Sequence, residues 1–393
     1  MRFKKGFLSF FCIIYFFSFS HVFGEVINIK EHVIFDKRNK SAGNMLYVIF
    51  LGDYELTREK YTAMDDSSKT HLSTFLKYLT NRGLTIVNFE MLLPSSDLFA
   101  IEFLSKRGVD ATIVANNHSC DYGEKYIKET EEQLIKYNIQ PIGSKKNPFL
   151  RFTHNGMNCN VFAIANKMDR ECDGVIRLHD KDFIEKTIER LKSENTPLIV
   201  VLHDDGPSQF ITDYEESKLK PFLDDGANLA LLLGGHLMKG CKFYNDYSIL
   251  AIFSIGNFIL HWRGEDEYIS IAPIIGFDNK KITYFAIIPF YDELGRKFRI
   301  LQNGEYKAAI DLYFERTNTP SEIAYTEKDT RKLVGKSLVD LLSGERWGKV
   351  KPKHLIFFIK FLFYNYYLPI FMVFFLFISS LLFCLYLKKQ KRR

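Results

Sequence analysis

Short runs of aliphatic and β-branched residues recur along the chain, and each breaks abruptly into polar residues. Residues 45–51, 84–88, 110–114, 161–165, 198–202, 229–233 and 249–253 have the length and composition of buried strands. Between them, residues 68–81, 97–107, 124–137, 180–192 and 217–225 carry apolar side chains at helical spacing, as in Leu72, Phe75, Leu76 and Leu79. This alternation predicts an α/β fold whose sheet is mostly parallel in its first half. Beyond Gly264 shorter strands at 281–289 and 297–301 are expected to complete a second sheet. Residues 25–43 read as an irregular lead-in, and residues 317–348 as a polar, partly helical stalk.

The residues at the ends of these runs carry the candidate chemistry. The runs lead into Asp53, Glu90, Asn117-His118, His203, His236 and Asn257 in turn. Taken alone, the stretch Ala115-Asn116-Asn117-His118-Ser119-Cys120-Asp121-Tyr122-Gly123 reads equally well as a polar turn, because Asn, Ser, Asp and Gly are common turn residues. Six such endings along one chain favour a site, since open α/β sheets keep their ligands at the carboxyl ends of their strands. Carboxylate, carboxamide and imidazole groups are donors that hard or borderline divalent metals accept. A mixed set also suits a two-metal hydrolytic centre, with one carboxylate bridging ions roughly 3.5–4 Å apart.

Four segments resemble the successive motifs of the CapA family of capsule-biosynthesis proteins, which are associated with poly-γ-glutamate. They are Gly52-Asp53-Tyr54-Glu55-Leu56-Thr57-Arg58, Asn88-Phe89-Glu90, Asn116-Asn117-His118 with Asp121-Tyr122-Gly123, and Ser254-Ile255-Gly256-Asn257-Phe258. The resemblance covers about residues 44–290 and implies a four-layer α/β/β/α sandwich related to the calcineurin-like metallophosphoesterases. It implies that Asp53, Glu90, Asn117, His203 and His236 bind one or two divalent ions (Mn, Zn or Mg), with Glu90 at the bridging position. It further implies that His118 stabilises developing charge or protonates the leaving group, and that Asn257 fixes its loop. Arg58 is a candidate for orienting an anionic substrate, with a plain surface arginine as the equal alternative. Two departures stand out. His203-Asp204-Asp205-Gly206 lacks the aromatic residue of the family's His-Trp-Gly, and Gly234-Gly235-His236-Leu237-Met238 has Met238 where the family has a second histidine. A thioether is a poor ligand for these ions, so Asp204 or Asp205 is the available substitute.

The two ends of the chain change the picture of where this body works. Residues 1–24 have a basic start (Arg2, Lys4, Lys5) and an apolar run, the pattern of a secretory signal peptide cut after Gly24; an uncleaved signal anchor is the alternative. Residues 368–387 are 20 uncharged residues, enough for one transmembrane helix, followed by the basic tail 388–393, which the positive-inside rule places in the cytoplasm. The expected divisions are therefore 1–24, a folded domain at 44–316, a stalk and interfacial segment at 317–367, the span at 368–387 and the tail. Of the net charge of +6, the signal segment holds +3 and residues 345–393 hold +9, which leaves −6 on the body. An acidic body gives no reason to expect nucleic acid as a partner.

Cys120, Cys159, Cys172 and Cys241 lie in the body, where export permits up to two disulfides, and the short loop between Cys159 and Cys172 favours that pairing. The expected function is a membrane-anchored, metal-dependent hydrolase or transferase acting on an anionic cell-surface polymer. Two alternatives are a non-catalytic subunit that anchors a polymer synthesis or export complex, and a small-molecule phosphoesterase.

Overall fold

The structure is a computed structural model that describes residues 32–37, 45–91, 98–154, 156–170, 172–204, 210–245, 247–260, 268–293 and 295–318. The signal segment, most of the stalk, the candidate transmembrane run and the basic tail lie outside the described residues. Among the described residues no helix is long and apolar enough to cross a membrane.

In chain order the elements begin with β1 (His32–Asp36), β2 (Leu46–Tyr54), α1 (Arg58–Ala63), α2 (Asp66–Thr80), β3 (Leu84–Phe89), α3 (Phe99–Ser105), β4 (Ala111–Ile113), α4 (Glu124–Lys136) and β5 (Gln140–Ile142). They continue with β6 (Phe149–His154), β7 (Met157–Ala165), α5 (Lys181–Ser193), β8 (Leu198–His203), α6 (Asp213–Asp224), β9 (Leu229–Leu233), β10 (Cys241–Tyr244), β11 (Ile249–Ile252) and β12 (Asn257–Ile259). The last are β13 (Ile269–Asp278), β14 (Lys281–Glu293), β15 (Lys297–Ile300) and α7 (Asn303–Asn318).

The strands form two mixed sheets. A nine-stranded sheet runs β1-β14-β13-β2-β3-β4-β5, with β12 beside β2 and β15 beside β14; a six-stranded sheet runs β10-β11-β9-β8-β7-β6. β2 to β5 are parallel neighbours, as are β7, β8, β9 and β11, so each sheet presents a block of carboxyl ends along one edge. Both sheets are apolar on both faces, which is why their strands read as continuous hydrophobic runs instead of alternating ones. Val48, Phe50 and Ile86 of one sheet pack with Val161, Val201 and Leu231 of the other in one buried cluster. A second cluster joins the far face of the first sheet to Leu72, Phe75 and Leu79 of α2, and a third joins the far face of the second sheet to Ile188 of α5 and Leu219 of α6. The layers therefore run helix, sheet, sheet, helix.

Several parts of the structure differ from the sequence reading. The strands beyond Gly264 do not complete a second sheet: β13 and β14, the longest of the described strands, join the first sheet through β13 beside β2, with β15 at β14. The lead-in contains β1, which pairs antiparallel with β14. Residues 303–318 form α7, whose Arg316 is buried and donates to the Met238 carbonyl, while Thr317 accepts from the Cys241 amide. The disulfide joins Cys120 to Cys172, with Cα atoms 5.9 Å apart, and leaves Cys159 and Cys241 as buried free thiols. Nearness in sequence misleads here because Cys159 begins the buried part of β7, and the extended strand carries the chain roughly 20 Å onward before the loop that holds Cys172. Burial alone pushes the Cys159 thiol up to about 12, so it is inert at neutral pH.

One glycine fixes how closely β12 approaches β2. A Cβ on Gly52 would lie 1.8 Å from the Gly256 carbonyl oxygen. Gly52→Ala is expected to lower stability by about 3 kcal/mol, at the upper end for overpacking, read as a lower urea midpoint. An unchanged midpoint would show that β12 yields without cost.

Candidate metal centre

Register explains how the first site residues come together. Asn257 on β12 pairs with Asp53 on β2, and Asp53 pairs with Asn88 on β3. Three polar side chains thus lie in one row across parallel strands, Asp53 and Asn88 next to last in β2 and β3 and Asn257 first in β12. Glu90 follows two positions after Asn88, on the same face of the extended chain. From the second sheet, β8 delivers His203 at its last residue, and the loop after β9 delivers His236. That loop turns sharply: Gly234 has φ +85°, and a Cβ there would lie 2.6 Å from His203 Nε2. His236 itself holds φ 53°, an uncommon conformation for a side-chain-bearing residue that recurs at functional sites.

The donors converge. Single ligand atoms of Asp53, Glu90 and His203 all lie within 4.8 Å of one another, and all three residues are buried. Asn88 Nδ2 donates to Asp53 Oδ1 at 2.6 Å and sits 3.2 Å from His203 Nδ1. His203 Nε2 is 2.9 Å from Asn117 Oδ1 and 3.4 Å from Glu90 Oε1. His236 Nδ1 lies 3.1 Å from Asp53 Oδ2 and 3.0 Å from Asn257 Oδ1. Asp53 Oδ2 is nevertheless buried without a hydrogen bond of good geometry, as is Asn88 Oδ1. Buried polar oxygens are normally satisfied, and buried carboxyl groups normally pair or bind metal. A buried carboxylate oxygen that meets only an ill-aligned imidazole, inside an oxygen and imidazole donor set, fits a divalent cation.

The electrostatics agree with that fit. Burial pushes the Asp53 carboxyl upward, but the His236 and His203 imidazoles and the Asn88 amide outweigh it and hold the group below the ordinary range. Burial lowers His203 to about 4 despite the pull of Asp53, so its ring is neutral and available as a ligand at neutral pH. Burial also opposes charge on His236, but Asp53 beside it dominates and raises it to about 10. Without a metal, His236 is therefore a cation paired to Asp53.

A second group lies outward of the first. His118 Nδ1 is 2.9 Å from Asp121 Oδ2 and 3.4 Å from Asp169 Oδ2. The side chains of His118, Asp121 and Asp169 are 39%, 33% and 55% exposed, whereas His203 and Asp53 are almost wholly enclosed. The structure thus brings Asp53, Glu90 and His203 to one point, with Asn117 against His203, His236 against Asp53, and His118 on the loop that carries Asn117. Arg58 stands apart from these contacts, exposed at the start of α1 with its guanidinium 4.9 Å from the Phe99 ring centre. Asp204 is buried and accepts from Asn166 Nδ2, and Asp205 lies outside the described residues. Met238 packs in the core between the sheets, so its thioether is not a site group.

The family of the bacterial capsule synthesis protein PGA_cap matches residues 47–261, more than half of the chain. The chain belongs to this family. Every residue of the centre described above falls inside the PGA_cap match. Among curated proteins no match is found. Similar solved structures include a hypothetical protein from Thermus thermophilus, at 17% identity and TM-score 0.44, covering 63% of this chain and 100% of that one. A phosphatase from Mycoplasma pneumoniae has 14% identity and TM-score 0.44, covering 64% and 95%. A 5'-nucleotidase from Candida albicans has 11% identity and TM-score 0.42, covering 79% and 59%.

Asn88, Asp121 and Asp169 are site residues that the sequence reading gave no role. Asn88 and Asp121 stood inside quoted motifs, and the two-residue spacing of Asn88 and Glu90 was a usable signal. Asp169 sits in an irregular loop and carried none. The paired states of His203 and His236 give a testable consequence. Binding Mn²⁺ at pH 7.5 is expected to release about one proton, from His236 and not from His203. The release should fade as pH rises through about 10. Titration calorimetry in buffers of different ionisation enthalpy measures it, and binding with no proton release would contradict the His236 assignment.

Proposed function

We propose that this PGA_cap protein is a membrane-anchored, metal-dependent hydrolase or transferase of metallophosphoesterase type acting on an anionic cell-surface polymer of the poly-γ-glutamate kind. The observation that carries the reading is the convergence of Asp53, Glu90 and His203 on one point, with the Asn117 carboxamide oxygen facing His203. The capsule synthesis family supports the substrate class, and the uncharged run 368–387 supports the anchor. The layer order of helix, sheet, sheet, helix supports the sandwich type.

Asp53, Glu90, Asn117, His203 and, once deprotonated, His236 would hold one or two ions, with Mn, Zn or Mg all suited to the donor set. Bound there, such an ion would polarise the scissile group and supply a nucleophile active at neutral pH. The protein's own contribution is positional. Asn88 fixes Asp53 and His203 from beneath through its amide. Asp121 engages His118 Nδ1, which leaves Nε2 to meet substrate and give a proton to a leaving group or hydrogen-bond a developing oxyanion. The partial exposure of His118 lets a chain too large for a closed pocket reach it.

The second reading is a non-catalytic subunit tethering a polymer synthesis or export complex. Met238 in the core favours it, because the imidazole that the family resemblance implies there is gone. One experiment separates the two. With the full-length chain loaded with Mn²⁺, His118→Ala is expected to keep its metal content while hydrolysis of poly-γ-glutamate, followed by chain-length analysis, falls about 10²- to 10⁴-fold. A metal-loaded wild type that leaves the polymer intact would favour the tethering role.

A further inference from the structure

Asp169, Arg170 and Cys172 hold the Asn117–Tyr122 loop at several points. The Asp169 amide donates to the Asn117 carbonyl at 2.9 Å. The Asp169 carboxylate oxygen Oδ2 accepts from Asn117 Nδ2 at 3.4 Å and lies 3.4 Å from His118 Nδ1. Arg170 Nη1 donates to the Asp121 carbonyl at 3.2 Å. The Cys120–Cys172 disulfide closes the arrangement across a sequence separation of 52. The two carboxylates beside His118 do not do the same work. Asp121 is nearer to Nδ1 and comes from the same loop, and one ring N–H is well served by one acceptor.

Asp169 meets the neighbouring residue instead. A carboxylate only accepts hydrogen bonds, so whichever end of the Asn117 carboxamide faces it must be the NH₂ end. With Nδ2 turned toward Asp169, Oδ1 is left facing inward, and it lies 2.9 Å from His203 Nε2 within the buried donor set. The opposite flip would aim an NH₂ group at the place a cation would occupy. We propose that Asp169, tied in place by the Cys120–Cys172 disulfide, is a positioning residue that sets the orientation of the Asn117 carboxamide and so presents its oxygen to the metal. The inference rests on the reading of Asn117 as a ligand. It assigns a use to the disulfide beyond general stability: the bond joins the ligand loop to the segment that orients it, across two connections from different sheets.

Outer residues that orient a ligand typically change metal affinity 10- to 100-fold when lost. The test is calorimetric titration of the full-length chain with Mn²⁺ alone, beside the thermal midpoint of the metal-free protein. Asp169→Asn replaces an acceptor with a group that both donates and accepts, so Asn117 is free to turn. The Kd for Mn²⁺ should rise about tenfold or more while the metal-free midpoint stays at the wild-type value, because Asp169 is half exposed. Asp169→Glu should recover part of the loss. Asp173→Asn, an exposed loss of the same charge four residues along the chain, should bind as wild type. The paired change Cys120→Ser with Cys172→Ser should weaken Mn²⁺ by a similar factor, whatever it does to the midpoint. Wild-type affinity in Asp169→Asn, or an equal loss in Asp173→Asn, would overturn the orienting role and leave the ligand set standing. Wild-type affinity in the cysteine pair would overturn the part given to the disulfide. A wild-type chain that binds no Mn²⁺ would overturn both this inference and the metal reading beneath it.

Discussion

An almost fully buried carboxylate, Asp53, sets the terms for the rest of the centre. A charge removed from water must be paired, hydrogen-bonded or bound to a cation, since the uncompensated group is far more costly than any single packing contact in the domain. Each neighbouring feature answers that demand. Asn88 donates to one oxygen, and the His236 imidazolium lies against the other. The close approach of Gly52 to Gly256 brings β12 and Asn257 alongside, and Asn257 in turn meets His236. The uncommon backbone of His236 is the conformation in which its ring reaches Asp53. The Asp53 oxygen beside His236 has that ion pair but no hydrogen bond of good geometry, which is the sense in which the protein alone does not complete the site.

The centre divides into a dry part and a wet part, and the division suits two tasks. Asp53, Glu90 and His203 are enclosed between the sheet edges, where geometry is rigid and electrostatic forces are strong. His118, Asp121 and Asp169 are partly exposed on loops, where a substrate can enter and protons can exchange. Asn117 belongs to both, with its oxygen inward and its NH₂ outward. Met238 falls in neither, because the chain after His236 dips at once into the core and is fastened there by Arg316 of α7. The position where the family resemblance implies a second histidine is therefore one whose side chain packs in the core and not in the site.

Most strands of the two parallel blocks were plain in the sequence because both faces are buried, so each appeared as a largely apolar run; β5, three residues beginning with an exposed Gln140 and holding Pro141, was not. The polar residues at their ends were plain for the same reason: Asp53 and His203 interrupt sequences that otherwise exclude charge. β1 and α7 were not legible, since β1 is a short edge strand with polar ends and α7 mixes charge through its apolar positions. Asn88 was visible in a motif two positions before Glu90, but its role as a donor to Asp53 appears only when β2 and β3 are set in register. The disulfide was misread because loop length in sequence says nothing about a strand that runs away from one of the cysteines. Asp169 could not be found from sequence at all, because its contacts with Asn117 and His118 form only when the segments after β4 and β7 meet in the fold.

The central claim is that a divalent ion sits among Asp53, Glu90, Asn117 and His203. Anomalous diffraction from crystals of the Mn²⁺-loaded protein, collected at the manganese edge, tests it directly. The account predicts a peak about 2.0–2.3 Å from oxygen or nitrogen atoms of those residues, with Asn117 Oδ1 turned toward it. A peak that appears only at surface carboxylates, or an Asn117 that presents its NH₂ to the centre, would contradict it.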